Sequence, residues 1–543
     1  MLKRVSSTRL VLLFSLALVA LYNLETWKAV NSLVQLDGIK AIGFNISWAV
    51  FLWAAFSLLL MPFSFRPTLK PVLSIIALCS AAAAYFMNDY GIAIDTVMIQ
   101  NILETNPGEA KALLSVKLLV YLAVLGLLPI ILIWRWPVAY RRPLPGLLNK
   151  LLVMVACVVL ILVSVGAFYS TYAPVFRQPD KLTHFINPTN YIYAVGKLGK
   201  GQLGLKQDIK VQTVGEDARM SNAAQARPKK SLMVFVVGET ARADHFSLDG
   251  YGRETNPELK QLDILNFTQV HSCGTSTAVS VPCMFSMFPR KEYSDRKGKT
   301  YEGLLDIAQR AGVQVLWLDN NSDCKGTCLR VPHKDIPKSQ ASPFCDGTNC
   351  LDESLLVGLQ DYIDSLTDNA IIVLHADGSH GPEYYDRYPK DKEQFTPVCR
   401  TNQLGSCSHD ELINVYDNTI LYTDHFLAQV VALLKKNQEK YDTSMLYVSD
   451  HGESLGENGM YLHAAPYAIA PESQTHVPMV FWFGDQTLKD AGVDRDCLQA
   501  KRDQPDLSHD YMFHSVLGLL GVETHVYDAS LDMFHSCRSA APR

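Results

Sequence analysis

The stretch MLYVSDHGES, Met445–Ser454, contains the pattern that decides the fold of the second half of this chain. A short apolar run ends there in a cluster of polar and charged residues, which is typical of a buried strand. The same form occurs in three other stretches: SLMVFVVGET (231–240), VQVLWLD (313–319) and AIIVLHADGSH (370–380). Helical patterns lie among them, namely YEGLLDIAQRAG (301–312) and NTILYTDHFLAQVVALLKK (418–436). This alternation predicts an α/β domain with a central, mostly parallel sheet.

The first third of the 543-residue chain is far more apolar than the rest, which explains a mean hydropathy of +0.06. Five of its stretches are long enough to cross a bilayer: Leu10–Tyr22, Ile42–Phe63, Pro71–Met87, Leu118–Trp134 and Leu151–Tyr169. The first stretch alone would also fit the apolar core of a signal peptide, but no small-residue cleavage site follows it. We therefore expect a transmembrane domain of five helices.

The basic residues of this region predict its orientation. They precede the first stretch, or lie between the second and third or the fourth and fifth: Lys3, Arg4, Arg9, Arg66, Lys70, Arg135, Arg141, Arg142 and Lys150. By the positive-inside rule these segments are cytoplasmic, so the chain after Tyr172 lies on the outer side of the membrane. The net charge of −5 offers no electrostatic reason to expect a nucleic-acid partner.

Cysteine usage agrees with this topology. Cys79 and Cys157 fall in predicted spans, and ten more fall in the predicted outer part: Cys273, Cys283, Cys324, Cys328, Cys345, Cys350, Cys399, Cys407, Cys497 and Cys537. An even number arranged in close pairs indicates disulfides in an oxidising compartment. The alternative is four thiolates around a structural zinc ion, which is less favoured because the pair spacings differ and no paired histidines accompany them.

We divide the chain into three parts: a transmembrane domain at 1–172, a connector at 173–230 and the α/β domain at 231–543. Within the connector, HFINPTNYIYAVGKLGK (184–200) mixes aromatic residues and lysines as an interfacial helix does. The following stretch, VQTVGEDARMSNAAQARPKK (211–230), is polar, and we expect it to be a flexible link.

Candidate site residues cluster where the predicted strands end. Glu239 follows one strand, and Asp450 and His451 follow another. Thr277 lies in SCGTSTAVSVPCMFS (272–286), a run of small hydroxyl residues between two cysteines. Singly, these residues have ordinary explanations as a helix cap, a turn residue or a buried histidine. Together, at the carboxyl ends of strands, they predict a tetrahedral zinc site whose metal would favour the threonine alkoxide.

Four motifs carry a resemblance to a known family: VVGETARADHFSLDGYGRETNP (236–257), SCGTSTAVSVPCMFS (272–286), GSHGPEYYDRYP (378–389) and SDHGESLGENGMYLHAAPY (449–467). They resemble the phosphoethanolamine transferases that modify lipid A, a family that includes chromosomal enzymes and mobile colistin-resistance enzymes. The resemblance extends over nearly the whole chain, including the five apolar stretches. It implies an alkaline-phosphatase/sulfatase fold for the α/β domain, which would lie in the periplasm of a bacterial cell and be anchored in its inner membrane.

The resemblance also implies roles for individual residues. Thr277 matches the nucleophile and would form a covalent phosphoethanolamine–threonine intermediate. Glu239, Asp450 and His451 match the zinc ligands, with Thr277 completing the shell. Two further matches, His380 and His463, would bind a second zinc ion or the substrate phosphate, and one of them would protonate the leaving alkoxide.

Three residues between the third and fourth apolar stretches match positions that hold the ethanolamine head group: Asn101, Thr105 and Glu109. An alternative is a helix start, with Asn106 as cap, Pro107 first and Glu109 closing a capping box. Ser322 and Lys325 in NNSDCKG (320–326) would contact the phosphate. A Cys273–Cys283 bridge would hold the nucleophile loop, and Cys497–Cys537 pairs by elimination after the short-range pairs.

The implied reaction moves phosphoethanolamine from phosphatidylethanolamine to a phosphate of lipid A, with Kdo or heptose of the lipopolysaccharide core as alternative acceptors. A monomer is expected, and the lower surface charge would give polymyxin resistance. Two other enzyme classes fit less well: a formylglycine sulfatase needs Arg where Met284 stands after Ser280 and Pro282, and a lipoteichoic-type phosphoglycerol transferase would not explain the paired cysteines. A non-enzymatic membrane receptor would leave the Glu239, Thr277, Asp450 and His451 cluster unexplained.

Overall fold

The computed structural model describes residues 4–34, 36–105, 107–177, 182–205, 211–339 and 342–538. The chain divides into two units, each with its own hydrophobic core. The first unit comprises residues 1–99 and 114–199, and the second comprises residues 100–113 and 200–543. Two of the boundaries fall inside helices, Thr96–Glu104 and Thr189–Leu205.

Four helices of the first unit are long and apolar enough to cross a membrane: Gly38–Phe63, Leu69–Tyr90, Val116–Arg135 and Pro143–Ala167. Helices Ser7–Leu21 and Leu24–Val34 meet at 63° and reach that standard as a pair, so the described residues hold four spans, or five if the pair is one broken span. The bend falls at Asn23, whose side-chain amide donates to the carbonyl of Leu18 at 2.9 Å and so ends the first helix. Shorter helices are Thr96–Glu104, Pro107–Ala112, Tyr169–Arg177 and Thr189–Leu205.

The last span begins at Pro143, well before the predicted Leu151. The predicted span begins after the polar pair Asn149 and Lys150, but Pro143 fits the first helical position because its missing N–H would have no partner there. In the connector, the helix predicted at 184–200 is present as Thr189–Leu205.

The second unit is built on a seven-stranded sheet whose strands, in chain order, are β1 Lys230–Gly238, β2 Ile264–Phe267, β3 Gln314–Asp319, β4 His333–Asp335, β5 Ala370–His375, β6 Tyr441–Ser449 and β7 Met479–Phe483. Their order across the sheet is β2-β7-β6-β1-β5-β3-β4, and β7 runs opposite to the other six strands. The prediction of a mostly parallel sheet is therefore confirmed. The central strands β5 and β6 are buried throughout, which explains the apolar runs Ala370–Leu374 and Met445–Val448 within them.

Helices surround this sheet: Asn222–Gln225, Thr277–Met284, Asp295–Thr300, Leu304–Arg310, Leu359–Ser365, His409–Lys436, Glu472–Thr475, Thr487–Asp490, Arg495–Ala500 and Met512–Leu520. The long helix His409–Lys436 starts ahead of its predicted apolar pattern because Ser408 and Glu411 form a capping box. Three two-stranded pairs complete the unit: Ser454–Leu455 with Tyr461–Leu462, Leu507–Ser508 with Val270–His271, and Val522–Glu523 with Arg219–Met220.

Disulfides link all ten cysteines of the second unit as predicted: Cys273–Cys283, Cys324–Cys328, Cys345–Cys350, Cys399–Cys407 and Cys497–Cys537. Cys79 and Cys157 in the first unit are free thiols. Because each of the ten sulfurs is bonded to another sulfur, none is available as a thiolate ligand for zinc.

The prediction that residues 211–230 form a flexible link is wrong, because this stretch is hydrogen-bonded to a distant part of the second unit. Met220 pairs with Val522 in an antiparallel ladder, and the Ser221 N–H donates to the Gly521 carbonyl at 2.9 Å. The Asp217 carboxylate accepts the Thr524 hydroxyl at 2.8 Å. The polar composition of this stretch is real, but its hydrogen bonds go to a segment about three hundred residues later, which local composition cannot reveal.

Gly521 is the tightest point of this contact, and its replacement tests the packing. Its φ is +79°, and an added Cβ would lie 2.4 Å from the Ala224 Cβ. We expect Gly521→Ala to lower the free energy of unfolding by about 2–4 kcal/mol, from left-handed strain plus overpacking. Gly492→Ala is the matched control, because Gly492 has φ +67° but no neighbour within 4 Å. Thermal unfolding and proteolysis of residues 211–229 should separate the two variants, and equal losses would contradict this packing.

Candidate metal centre and active site

The sheet register places two carboxylates side by side. Gly238 at the end of β1 pairs with Ser449 at the end of the adjacent parallel strand β6. The next residues are Glu239 and Asp450, and the Asp450 N–H donates to the Gly238 carbonyl at 2.9 Å. Both side chains are buried. The predicted proximity of these residues at the carboxyl ends of adjacent strands thus follows from strand pairing.

Thr277 reaches the same point from the first position of helix Thr277–Met284. Its hydroxyl donates to Glu239 Oε2 at 3.0 Å and lies 3.4 Å from His451 Nε2. The loop before it is fixed through Ser280, whose Oγ accepts the Gly274 N–H at 3.0 Å and donates to the Asp450 carbonyl at 2.5 Å. The hydroxyl run between the two cysteines is therefore a loop that holds one threonine against the acidic cluster.

His451 presents a lone pair to this cluster. Its Nδ1 lies 2.9 Å from the Gly452 carbonyl, and because a carbonyl only accepts, Nδ1 carries the hydrogen. Nε2 then faces Glu239 Oε1 and Asp450 Oδ2, each at 3.4 Å, with an unshared electron pair. Three atoms that can accept a hydrogen bond or bind a metal ion thus converge on one point.

The two carboxylates are satisfied on one side only. Glu239 Oε2 accepts the Thr277 hydroxyl and Asn321 Nδ2, the latter at 2.8 Å. Asp450 Oδ1 accepts the N–H groups of Thr240 at 3.2 Å and His451 at 2.7 Å. The remaining oxygens, Glu239 Oε1 and Asp450 Oδ2, are buried without a hydrogen-bond partner among the described residues. Such orphaned acceptors are costly unless a cation faces them.

Electrostatics lead to the same conclusion. Burial, reinforced by the charge of Asp450, raises the pKa of Glu239 to about 7. Burial also raises the pKa of Asp450 to about 7, and it lowers the pKa of His451 well below its ordinary value, so the imidazole is neutral. The protein alone therefore does not supply the positive charge that would keep both carboxylates ionised at neutral pH.

These residues fit a divalent metal ion. Ligand atoms of Glu239, Asp450 and His451 lie within 4.8 Å of one another, and two carboxylates with one imidazole form a set that suits zinc. A second group of potential ligands combines Asp510 with Cys273 and Cys283, but both sulfurs are in a disulfide. The first group is therefore the candidate metal centre.

Two further histidines predicted for the site stand beside this centre. The His463 ring lies 4.6 Å from the His451 ring and 5.3 Å from the His380 ring, measured between centroids. Burial lowers the pKa of His463, but neighbouring carboxylates, Glu453 foremost, outweigh it and raise the pKa to about 9. Glu453 Oε1 lies 3.1 Å from His463 Nδ1, which leaves Nε2 as the nitrogen free to act on a substrate.

The backbone around His463 is unusual and is held by one glutamine. Leu462 and Ala464 both have positive φ, at 64° and 68°, which is strained for residues with side chains. The fully buried Gln474 donates to the Leu462 carbonyl at 3.1 Å and accepts the Ala465 N–H at 3.0 Å. Gln474 therefore fixes the chain on both sides of His463.

The predicted substrate contacts lie in two places. Lys325 Nζ donates to Ser322 Oγ at 3.0 Å, in the loop whose Asn321 contacts Glu239. Asn101 lies in helix Thr96–Glu104, and the Thr105 hydroxyl donates to the Asn101 carbonyl at 2.7 Å. The next helix starts at Pro107, as the capping alternative predicts, whereas Asn106 and the Glu109 side chain lie outside the described residues.

Comparisons with known proteins show the family to which the chain belongs. Two family models match the chain: Phosphoethanolamine transferase EptA/EptB over residues 52–203 and Sulfatase over residues 231–522. Phosphoethanolamine transferase EptA of Escherichia coli (strain K12) is 41% identical over 517 residues, covering 95% of this chain and 94% of that protein. Phosphatidylethanolamine transferase Mcr-1 of Escherichia coli is 43% identical over 462 residues, covering 82% of this chain and 84% of that protein.

A solved structure extends the similarity to the whole fold. The integral membrane protein lipooligosaccharide phosphoethanolamine transferase A (EptA) from Neisseria meningitidis is 36% identical, with a TM-score of 0.95 over 99% of this chain and 100% of that chain. The chain belongs to the EptA and Mcr family of phosphoethanolamine transferases. The resemblance stated from the motifs is confirmed, and so is the fold class, apolar helices followed by a sulfatase-like domain.

The chain belongs to the phosphoethanolamine transferases, and two residues beside its candidate metal centre were missed from the sequence. Asn321 directly precedes the predicted Ser322 and follows strand β3, so its position at a strand end was an available signal. Gln474 lies in the short helix Glu472–Thr475, away from any recognised motif, and only its contacts reveal it. The Asn321 amide also donates to the Ala376 carbonyl at 2.9 Å, which ties the Glu239 carboxylate to the end of strand β5.

The metal assignment predicts a two-part response to neutralising one carboxylate. Asp450→Asn should lose bound zinc, because the amide removes one negative charge from the ligand set. The chelator-treated variant should nonetheless be at least as stable as chelator-treated wild type, because a buried like-charge pair is gone. Metal analysis with thermal unfolding, before and after chelation, checks both parts. Glu457→Gln, which alters a carboxylate paired with Arg242, is the control and should keep its zinc.

The contacts of Gln474 predict a positioning role for this residue. Gln474→Ala should lower the rate of transfer by about ten- to a hundredfold, because His463 would lose its fixed place. Zinc content should stay at the wild-type level, since His463 is not one of the three grouped ligands. Steady-state kinetics with metal analysis distinguish this result from unfolding, and the exposed Gln261→Ala is the control. A loss of zinc with unchanged turnover would contradict the assignment.

Proposed function

We propose that the chain is a zinc-dependent enzyme that transfers phosphoethanolamine from phosphatidylethanolamine to a phosphate of lipid A. The observation that carries the proposal is the Thr277 hydroxyl, 3.0 Å from Glu239 Oε2 and 3.4 Å from His451 Nε2 in a buried cluster of acceptors. Family membership supplies the transferred group, and the apolar helices suit a reaction between two lipids.

The cluster also fits the metal. A zinc ion held by Glu239, Asp450, His451 and Thr277 would lower the pKa of the threonine hydroxyl and neutralise charge that develops on the phosphoryl oxygens. The proposed donor is consistent with one relative, Mcr-1, which is named a phosphatidylethanolamine transferase. We also propose that a second zinc ion binds beside His380 and His463.

In the first step, Thr277 Oγ1 attacks the phosphorus of phosphatidylethanolamine, and Glu239 Oε2, already its hydrogen-bond partner, takes the hydroxyl proton. The bond between phosphorus and the diacylglycerol oxygen breaks. His463 donates a proton to that oxygen, for which its raised pKa of about 9 is suited. Diacylglycerol leaves, and the phosphoethanolamine group remains on Thr277.

In the second step, a phosphate oxygen of lipid A attacks the same phosphorus, and the bond to Thr277 Oγ1 breaks. The threonine oxygen recovers its proton from Glu239, and His463 takes up the proton of the attacking phosphate hydroxyl, which completes the cycle. His463 stands beside His451 and His380 beside His463, at ring-centroid distances of 4.6 and 5.3 Å, and we assign both histidines to the phosphoryl oxygens during transfer. Because the product carries an added ammonium, the surface binds polycationic peptides less strongly, which would give polymyxin resistance.

Head-group recognition is assigned to the remaining predicted residues. Lys325 supports a phosphate contact, because its side chain is only 6% exposed and its ammonium is held by Ser322. Asn101, Thr105 and Glu109 are proposed to bind the ethanolamine ammonium. The segment 100–113 belongs to the same unit as the metal centre, and the Asn402 amide donates to the Ala112 carbonyl at 2.6 Å. The active form is proposed to be a monomer in the inner membrane with this unit in the periplasm.

The nucleophile assignment is tested in cells. The chain and its Thr277 variants are expressed in a Gram-negative host, and lipid A is examined by mass spectrometry. Wild type should add a phosphoethanolamine increment, Thr277→Ala should add none, and Thr277→Ser should retain part of the activity because it keeps a hydroxyl. Ser286→Ala, which removes a hydroxyl that lies beyond helix Thr277–Met284 and accepts the Phe288 N–H, should behave as wild type.

Two results would change the proposal. An increment that persists in Thr277→Ala would contradict the covalent mechanism. An increment found on core Kdo or heptose and absent from lipid A, examined in the same extracts, would transfer the acceptor assignment to the core sugars.

A further inference from the structure

One end of the first unit encloses a cavity that the transfer reaction does not use. Its volume is about 550 Å³. The cavity lies where Val5–Ser6 pairs in parallel with Val138–Ala139, beside the starts of helices Ser7–Leu21 and Pro143–Ala167. This is the end that carries the basic loops, which the positive-inside rule places in the cytoplasmic leaflet.

The cavity lining is strongly cationic. It includes Arg66, Arg141 and Lys150, and none of its lining residues is acidic. Residues at the starts of both helices, Ser7 and Pro143, also belong to the lining, so the positive ends of two helix dipoles face the same space. The site therefore favours an anion through three side chains and two helix ends together.

The burial of Lys150 distinguishes this cavity from a group of basic residues that only determines membrane orientation. A lysine that serves only topology extends its ammonium into water, whereas Lys150 is 9% exposed. Its Nζ donates to the Ser64 carbonyl at 2.9 Å and lies 3.4 Å from the centre of the Phe65 ring. Neither partner carries a negative charge, and an ammonium has three N–H donors, so the cavity holds a buried cation with spare donor capacity.

Arg141 is also held in place at the cavity wall. Its guanidinium donates to Asn149 Oδ1 at 2.9 Å, and Asn149 Nδ2 donates to the Thr8 hydroxyl at 3.1 Å. This chain of hydrogen bonds links the two helix starts and fixes the guanidinium before any ligand arrives. Arg142, the next residue, is exposed and does not line the cavity.

The rest of the wall is apolar and exposed. Leu144 is 78% exposed and Leu147 is 46% exposed, and they lie one helical turn apart on a helix long enough to span the membrane. A free phosphate ion would leave this surface uncovered, whereas a lipid would place its phosphate at the cations and an acyl chain along the leucines. We propose that this cavity binds the phosphate-bearing head group of an anionic phospholipid.

The full-length protein, purified in detergent, is mixed with equimolar phosphatidylglycerol and phosphatidylcholine, and retained lipid is identified by native mass spectrometry. Wild type should retain phosphatidylglycerol in preference to phosphatidylcholine. Lys150→Gln and Arg141→Gln should each lower that preference by about fivefold, the effect of removing one cation near a lipid phosphate. Arg141→Gln changes an exposed side chain and so serves as the variant whose folding is not in question. Arg142→Gln, which removes an equal charge from the same loop, should retain the wild-type preference.

Three outcomes would overturn the proposal. The first is equal retention of both lipids by wild type. The second is a loss in Arg142→Gln as large as that in Arg141→Gln, which would indicate only the general charge of the loop. The third is displacement of phosphatidylglycerol by inorganic phosphate, which would show a free anion rather than a lipid to be the ligand. Thr277 lies outside this cavity, so Thr277→Ala should bind phosphatidylglycerol as wild type does whatever the fate of the transfer mechanism.

Discussion

The proximity of two buried carboxylates, Glu239 and Asp450, is the constraint on which the rest of this structure depends. Pairing of strands β1 and β6 fixes the backbone positions of both residues, and the loops that cover them exclude water. Two like charges in such a place cost several kcal/mol unless a cation compensates them. His451 contributes a third acceptor to the same point, so the arrangement is unfavourable by itself and favourable around a divalent metal.

This constraint explains why two separate interactions hold the nucleophile loop in place. A threonine hydroxyl is useful only if it stays within reach of the metal centre, and the loop is held there twice. Ser280 connects Gly274 to the Asp450 backbone, and the Cys273–Cys283 disulfide closes the loop with its Cα atoms 6.2 Å apart. Closing a loop of this length stabilises the fold by only about 2–3 kcal/mol in the chain-entropy model. Its larger effect is to limit displacement of the reacting oxygen, to which catalysis is far more sensitive.

The sequence was sufficient to predict those site residues that directly follow a strand. Glu239, Asp450 and His451 follow apolar runs that read plainly as parallel strands, so their meeting could be predicted before the structure was known. Contacts between residues that lie far apart in the sequence could not be predicted in this way. Gln474 acts through the carbonyl of Leu462, and residues 211–229 bond to a segment near position 522, neither of which leaves a compositional pattern. The sequence predicts too late a start for the helix that begins at Pro143, because hydropathy indicates which residues lie in lipid and not where a helix begins.

X-ray absorption at the zinc edge is the sharpest test of the metal centre, because it reports the ligand atoms themselves. The full-length protein is measured as purified, without added metal. Zinc at this centre should show a first shell of oxygen and nitrogen only, at about 2.0–2.2 Å, as two carboxylates, one imidazole and one hydroxyl would give. Sulfur scattering at about 2.3 Å would place the metal on cysteine thiolates and would contradict the assignment of Glu239, Asp450 and His451 as the centre.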